Sequence, residues 1–450
     1  MYMEEVAGIP SESPLVVKIQ LSIQERLAII GAVLYYSVDF NRAVFVRFFE
    51  LFYINNETAT TLSSFIPLLL VLPLLNRRRS ALCRFTVFYL LVATYFAVSI
   101  LLNVDNWQYY FRPQFGVHRV FRPDSGIFAI FFILVLGKKR LIEITLQLTT
   151  FIMFVMHSMQ FLRATTRGYW LYINQFGQED HLSYSLEFGF GMAFVVVLCM
   201  YFGFTSKRRL YYLFSLLGYL MIIKAGNRMA LILPFVFLIL WFLHKKMSVC
   251  RNNACRIRFL LNFIFKGVIV VITLFLVLKL LMDYSHVLGL DLSSSRNVSM
   301  IIDGTFLADN GRTHIRQLVW EGLKHRPLLG LGAFGDRPLV APVYIWGHSH
   351  SFIFEVWSNL GLLFGIPFAF VLFYGWFRFT FCRKAFYSNL FLVFFSISFL
   401  HLTSLSFWLT PYIWSCFALL ILERDYQTDV NFAVLRNSIV ISQGDHDGYV

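Results

Sequence analysis

The side chains best suited to chemistry gather between about Met282 and Gly365, the longest stretch of the chain without strong hydrophobic character. Arg312 and Arg316 are spaced one helical turn apart, so on a helix both guanidiniums project the same way, and their planar forks match phosphate oxygens. On a helix lying along a membrane the same pair would also reach lipid phosphates, and position alone favours that plainer use. His348 and His350 precede the next apolar run and can titrate near neutral pH, which suits a proton acceptor, although a histidine at such a place is more often an interfacial side chain. Glu355 is the one carboxylate in the following run and a rival base. On a continuous helix, five residues set it about 140° around from His350, which makes it an orienting or packing partner.

The elements that must position these groups can be read nearby. Ile315, Leu318, Val319 and Leu323 recur at helical spacing between Gly311 and Arg326, Asp309-Asn310-Gly311 supplies a turn, and Pro327 supplies a stop. The spacing predicts an amphipathic helix of about four turns. Gly330-Leu-Gly332-Ala-Phe-Gly335 follows at once. It matches a dinucleotide fingerprint in spacing alone, because no strand precedes it and no βαβ unit surrounds it, so a nucleotide site is rejected. The glycines serve either to bring backbone N–H groups to an anion or to make a tight turn.

Composition sets the class. With 58% hydrophobic and 14% charged residues, the chain has more apolar surface than a soluble domain could bury. The net charge of +14 would suggest nucleic acid in a soluble protein. Here the basic residues fall in short clusters between apolar runs, at Arg77 to Arg79, Lys138 to Arg140, Lys207 to Arg209 and around Lys245, which is how a membrane protein is oriented, so no nucleic-acid partner is expected. Every second loop is basic. The expected fold is all-α, a polytopic membrane protein of about 12 transmembrane helices forming one integral domain over residues 1–450, both termini cytoplasmic. Residues 283–349 then form a large extracytoplasmic loop that carries the site. Met1 to Gln20 lacks the basic start and cleavage site of a signal peptide and is expected to stay uncleaved. The six cysteines fall in spans or cytoplasmic loops, so no disulfide framework is implied, and Cys250 and Cys255 lack the further pair a zinc site needs. No metal and no cofactor are expected.

The run Arg316-x-x-x-Trp320, then Pro327-Leu-Leu-Gly330-Leu-Gly332-Ala-Phe-Gly335, then His350-Ser351 and Gly361-Leu-Leu-Phe-Gly365, resembles the signature of the bacterial O-antigen ligase and polymerase superfamily. Gly226-Asn227-Arg228-Met229-Ala230 is similar to that family's Ser-Arg-x-Ala at the outer start of a span. The distance to Gly361 fits the pattern from His350 and not from His348. Asn227 replaces Ser, Ser351 replaces Asn, and Asn359 stands where an acidic residue is common.

The resemblance implies a metal-independent glycosyltransferase at the outer face of the bacterial inner membrane, acting on oligosaccharides carried on undecaprenyl diphosphate. It implies Arg228, Arg312 and Arg316 holding the diphosphate, His350 as catalytic base, and His348 and Glu355 in support. A polymerase joining repeat units is expected, for O-antigen lipopolysaccharide or capsule. The alternatives are a ligase moving glycan to lipid A core and a flippase for lipid-linked sugars. Membrane lipids, a chain-length regulator and a separate flippase are the partners such a polymerase implies. Few charges lie within the spans, which speaks against the flippase reading.

Overall fold

The computed structural model describes residues 21–112, 116–173, 179–182, 184–247, 311–344, 347–381, 385–402 and 405–444, with isolated positions between 249 and 300. The expected span Phe259 to Leu281, the first part of the 283–349 loop and the N-terminal Met1 to Gln20 lie outside the described residues.

A helix rises about 1.5 Å per residue, so about 20 apolar residues cross a bilayer. Among the described residues, helices Asn56–Leu75, Arg79–Leu102, Lys139–Arg167, Leu186–Ser206, Arg228–Met247 and Phe352–Phe381 meet that length and composition. Ile23–Tyr36 and Val38–Glu50 make a seventh crossing only as a pair, because the chain bends by 98° between them. The sequence read as one weak span beginning near Leu27 is therefore broken, next to the Asp39 and Arg42 that marred it. Of the other expected spans, Leu210 to Ile223 is present as the helix Arg209–Ala225, and the rest are shorter or displaced. Phe128–Leu136 is a nine-residue helix whose every residue is buried, as suits a segment apolar all round. Ser388–Ser398 runs into a short 3₁₀ turn, and Pro411–Gly444 is a long helix continuing well beyond the apolar run that starts it.

Leu186–Ser206 is the central element. Its apolar stretch is 83% buried, against 22% for Arg79–Leu102 and Phe352–Phe381, which turn most of their surface outward. It can be central because Gly189 and Gly191 lack side chains: Asn227 and His157 pack directly against their backbones. Between Arg167 and Leu186 the chain forms a small antiparallel hairpin of Trp170–Ile173 and Glu179–Leu182 with Trp170 opposite Leu182. Its Trp-Leu-Tyr-Ile strand has the aromatic and β-branched content that favours pairing, and the Trp170 ring lies 4.5 Å from that of Phe188.

The basic clusters converge on one end of the molecule. The Arg78 guanidinium lies against Gly137, Lys138 pairs with Glu25 at 3.1 Å, and Lys139 sits over the Phe386 ring. Arg84 pairs with Asp425, and Arg378 bonds Gln427. At the other end the chain starts Leu186–Ser206, Arg228–Met247 and Phe352–Phe381 and finishes Arg79–Leu102. Asn227 donates to the Leu186 carbonyl at 3.3 Å, and Ser99 takes the Ala333 N–H at 3.0 Å. Arg122 also belongs to this second end, against the charge bias. It is absorbed locally: Arg122 grips Asp124 with both arms at 2.6 and 2.7 Å, and Arg42 adds a third contact at 2.7 Å. Burial would raise the Asp124 carboxyl, but the two guanidiniums outweigh it and hold the group at about 2.

Candidate active site

The polar segment after Gly311 folds onto the start of Phe352–Phe381. The amphipathic helix is present as Arg312–Lys324, opened by Gly311 at φ 79° and closed at His325, before the proline expected to stop it. It buries Ile315, Val319 and Leu323 with Val340, against Leu331, Tyr344, Phe354 and Trp357. Its apolar face is thus turned onto protein instead of onto lipid, and Trp320 meets Trp357 edge-on at 5.3 Å. Arg312 and Arg316, both half-buried, flank that face one turn apart as expected.

The glycines make a backbone joint. Phe352–Phe381 breaks at Gly361, whose φ of 63° and ψ of −176° lie outside what a side-chain-bearing residue readily adopts. Such a break frees N–H and C=O groups that a buried helix must satisfy. The loop supplies the partners: Leu362 and Leu363 donate to the carbonyls of Pro327 and Leu328 at 3.0 Å each, and Leu331 donates to the Ser358 carbonyl at 2.7 Å. Gly330, at φ 70°, allows that approach from the other side, where a Cβ would lie 2.7 Å from the Gly361 nitrogen. Of the two uses open to the glycine-rich run, the tight turn is the one seen.

The histidines follow a second turn. Gly347 and His350 both have positive φ, 61° and 49°, the latter uncommon for a residue with a side chain. The two imidazoles lie 3.9 Å apart with their planes tilted by 39°, and Tyr344 meets His350 edge-on at 5.1 Å. His348 is the buried one of the pair and His350 the more open. Burial raises the Tyr344 phenol above its ordinary value, Arg312 opposes the rise, and Tyr184 adds to it. Tyr344 therefore stands in the field of Arg312 while touching His350, which ties the loop helix to the histidine turn. The Arg112 guanidinium would lie 3.4 Å from a Cβ on Gly347, so it too borders this turn.

Arg228 opens Arg228–Met247 at the same end. Its neighbour Asn227 is buried, and its Oδ1 accepts from the Ala230 N–H at 3.3 Å in the manner of an N-cap. That is a role Asn shares with Ser, so the departure from the family's Ser keeps the cap. Asn359 is also explained by its bonds. Its Oδ1 accepts from the Phe334 N–H at 2.7 Å and from Trp408 Nε1 at 3.2 Å, while Nδ2 donates to the Glu355 carbonyl at 2.6 Å. A carboxylate could accept the first two but could not make the third. Ser351 supplies the carbonyl that takes the Glu355 N–H at 2.8 Å as the helix begins.

Glu355 is 1% exposed, accepts from the Ser406 hydroxyl and from the Phe407 N–H at 3.1 Å, and lies 3.8 Å from Arg337. The angle of about 140° assumed His350 and Glu355 on one helix; the helix begins at Phe352, so His350 precedes it and its direction is set by its own turn. Two charged residues at the site were not singled out from the sequence. Asp336 and Arg337 are 0% and 2% exposed, and Asp336 Oδ2 accepts from the Ser349 N–H at 2.8 Å, between the histidines. Their signal was an adjacent Asp-Arg pair directly after Gly335, which reads as a solvated turn.

No group of three or more metal-binding side chains occurs among the described residues. Neither a curated protein nor a solved structure matches the chain. Residues 213–369 match the family model described as O-antigen ligase, a stretch that runs from the helix before Arg228 through the loop helix, the glycine joint and the histidine turn.

Proposed function

We propose that the protein is a surface-polysaccharide polymerase that joins oligosaccharide repeat units carried on undecaprenyl diphosphate at the outer face of the bacterial inner membrane. Members of the family are glycosyl-transferring membrane enzymes of ligase or polymerase type, and the match gives the flippase alternative no support. The observation that carries the reading is the gathering of Arg312, Tyr344 and His350 at the end of the molecule opposite its basic clusters. Basic loops favour the cytoplasmic side, which supports placing the histidine end at the outer face.

In the proposed reaction, an acceptor-sugar hydroxyl attacks the donor's anomeric carbon. Its proton passes to His350, the bond from that carbon to the diphosphate oxygen breaks, and undecaprenyl diphosphate departs with the growing negative charge. Arg312, Arg316 and Arg228 hold and neutralise that diphosphate, as guanidinium forks do best in a partly desolvated groove. No metal is needed to balance the step. The family match is confined to residues 213–369. A polymerase reads its own repeat unit both as donor and as acceptor, so its remaining surface has reason to diverge with the glycan, which favours polymerase over ligase. Membrane lipids, a chain-length regulator and a flippase delivering the substrate are its proposed partners.

The deciding experiment is the surface glycan of a deletion strain. A single repeat unit on lipid A core supports the polymerase, whereas long lipid-linked chains without core attachment would make the protein a ligase.

Lysine substitution tests the arginines. Arg312→Lys and Arg316→Lys keep the charge and lose the fork, so polymer should fall about tenfold or more at unchanged expression. Near-normal polymer in both variants would reduce the pair to lipid anchors. Arg79→Lys at the basic end is the control and should be silent.

A further inference from the structure

The turn that carries His350 needs a reason to hold its shape. Its backbone enters the left-handed region at Gly347 and again at His350, and the amide between the two imidazoles, that of Ser349, points away from solvent onto Asp336 Oδ2 at 2.8 Å. Ser349 and Asp336 are both 0% exposed. The Asp336 carboxylate is in turn backed by Arg337, whose Nε lies 3.9 Å from its other oxygen and whose Nη2 lies 3.8 Å from Glu355. The Arg337 guanidinium rests 4.7 Å from the centre of the Phe334 ring, and Phe334 is tied through its N–H to Asn359. Glu355 is fixed by Ser406 and Phe407. An unbroken line of buried contacts therefore runs from residues 406–407 through Glu355, Arg337 and Asp336 to the amide beside His350.

We infer that Asp336 is a positioning residue for the proposed base, fixing the direction of the His350 ring by holding the Ser349 amide, with Arg337, set between the Asp336 and Glu355 carboxylates, keeping it in place. Asp336 touches no reacting atom in this scheme. A plain folding role predicts something different: loss of protein, with no selective effect on turnover. The inference rests on the reading of His350 as base, since positioning matters only if the positioned group works.

Three variants separate the possibilities, in the full-length protein reconstituted in bilayer discs with lipid-linked oligosaccharide extracted from the deletion strain. Asp336→Ala removes the acceptor, and because it leaves the buried Arg337 without its counter-charge, Asp336→Ala with Arg337→Met is prepared alongside. Asp336→Asn keeps an oxygen that can take the Ser349 N–H. The alanine variants should lose kcat by about tenfold to 10²-fold with KM within about twofold, the signature of a misplaced catalytic group. Amide exchange over residues 347–351 should quicken in the same variants, and Asp336→Asn should recover most of both. Wild-type kcat in a folded alanine variant, or unchanged exchange over 347–351, overturns the proposal. His350→Ala, assayed in parallel, keeps the two claims apart: if it retains full turnover the base assignment fails, while the exchange comparison still decides whether Asp336 holds the turn.

Discussion

His350→Ala should abolish polymer at normal protein level, while His348→Ala should leave a substantial fraction. The two imidazoles are 3.9 Å apart, so ring chemistry does not rank them; their settings do. His350 is the partly open member, meets Tyr344 edge-on, and shares that tyrosine with the field of Arg312, the nearest candidate for the donor's diphosphate. His348 is 8% exposed. Removing a general base typically costs 10²–10⁴-fold, about the whole of a polymer signal, whereas removing an adjoining ring only loosens the one that remains. Glu355→Gln is the informative third variant. Its carboxylate is sealed by Ser406, Phe407 and Arg337, so it has no route to a sugar hydroxyl and its loss should appear first as lower thermal stability. Breaking one partner of such a buried pair costs on the order of 3–5 kcal/mol. Full activity in His350→Ala together with lost turnover in a stable Glu355→Gln would show that the base is the carboxylate.

What could be read from the sequence divides along a physical line. Signals that repeat along the chain came through. The loop helix was legible to within a residue or two at each end, because Ile315, Val319 and Leu323 recur at helical period and the segment is otherwise polar. The membrane class followed from composition, and the two ends of the molecule followed from Arg77 to Arg79 and their counterparts. Features decided by a single backbone angle or by a distant partner did not come through. The break at Gly361 lies inside a run whose apolar pattern reads as continuous, and the 98° bend after Tyr36 falls where Asp39 and Arg42 interrupt a run without any spacing to say how far the chain turns. The turn that buries His348 and opens His350 depends on positive φ at residues 347 and 350, which no spacing rule encodes. Asp336 and Arg337 were passed over because opposite charges side by side normally face water. Here each lies beneath the loop, and the carboxylate that completes the line, Glu355, comes from a different element.

Gly361→Ala should remove most folded protein, and Gly365→Ala should be tolerated, although both belong to the same five-residue motif. At Gly361 a Cβ would fall 2.1 Å from the Leu328 carbonyl oxygen and 2.4 Å from the Leu329 carbonyl carbon, backbone atoms that cannot swing aside. The backbone angles there are also ones that only glycine holds comfortably, and such conformations cost a side-chain-bearing residue about 1–3 kcal/mol before any clash is counted. The alternative, letting the helix run straight through residue 361, would withdraw the Leu362 and Leu363 N–H groups from Pro327 and Leu328 and release the glycine joint from the helix. The chain leaving the Arg312–Lys324 helix meets the span through that joint, so the loss should spread to the loop helix. At Gly365 the φ is ordinary, and the nearest atom to an added Cβ is a Val356 methyl at 3.1 Å, a contact that a few tenths of an ångström relieves. Alanine there also regains about 1 kcal/mol of helix propensity. Thermal unfolding of the two purified variants, followed by intrinsic tryptophan fluorescence, distinguishes them; Trp357, one of nine tryptophans, donates to the Pro327 carbonyl at 2.9 Å at the joint. A Gly361→Ala protein that melts with the wild type and keeps its fluorescence would mean that the break is not required, and that the loop is held to the span by its side chains alone.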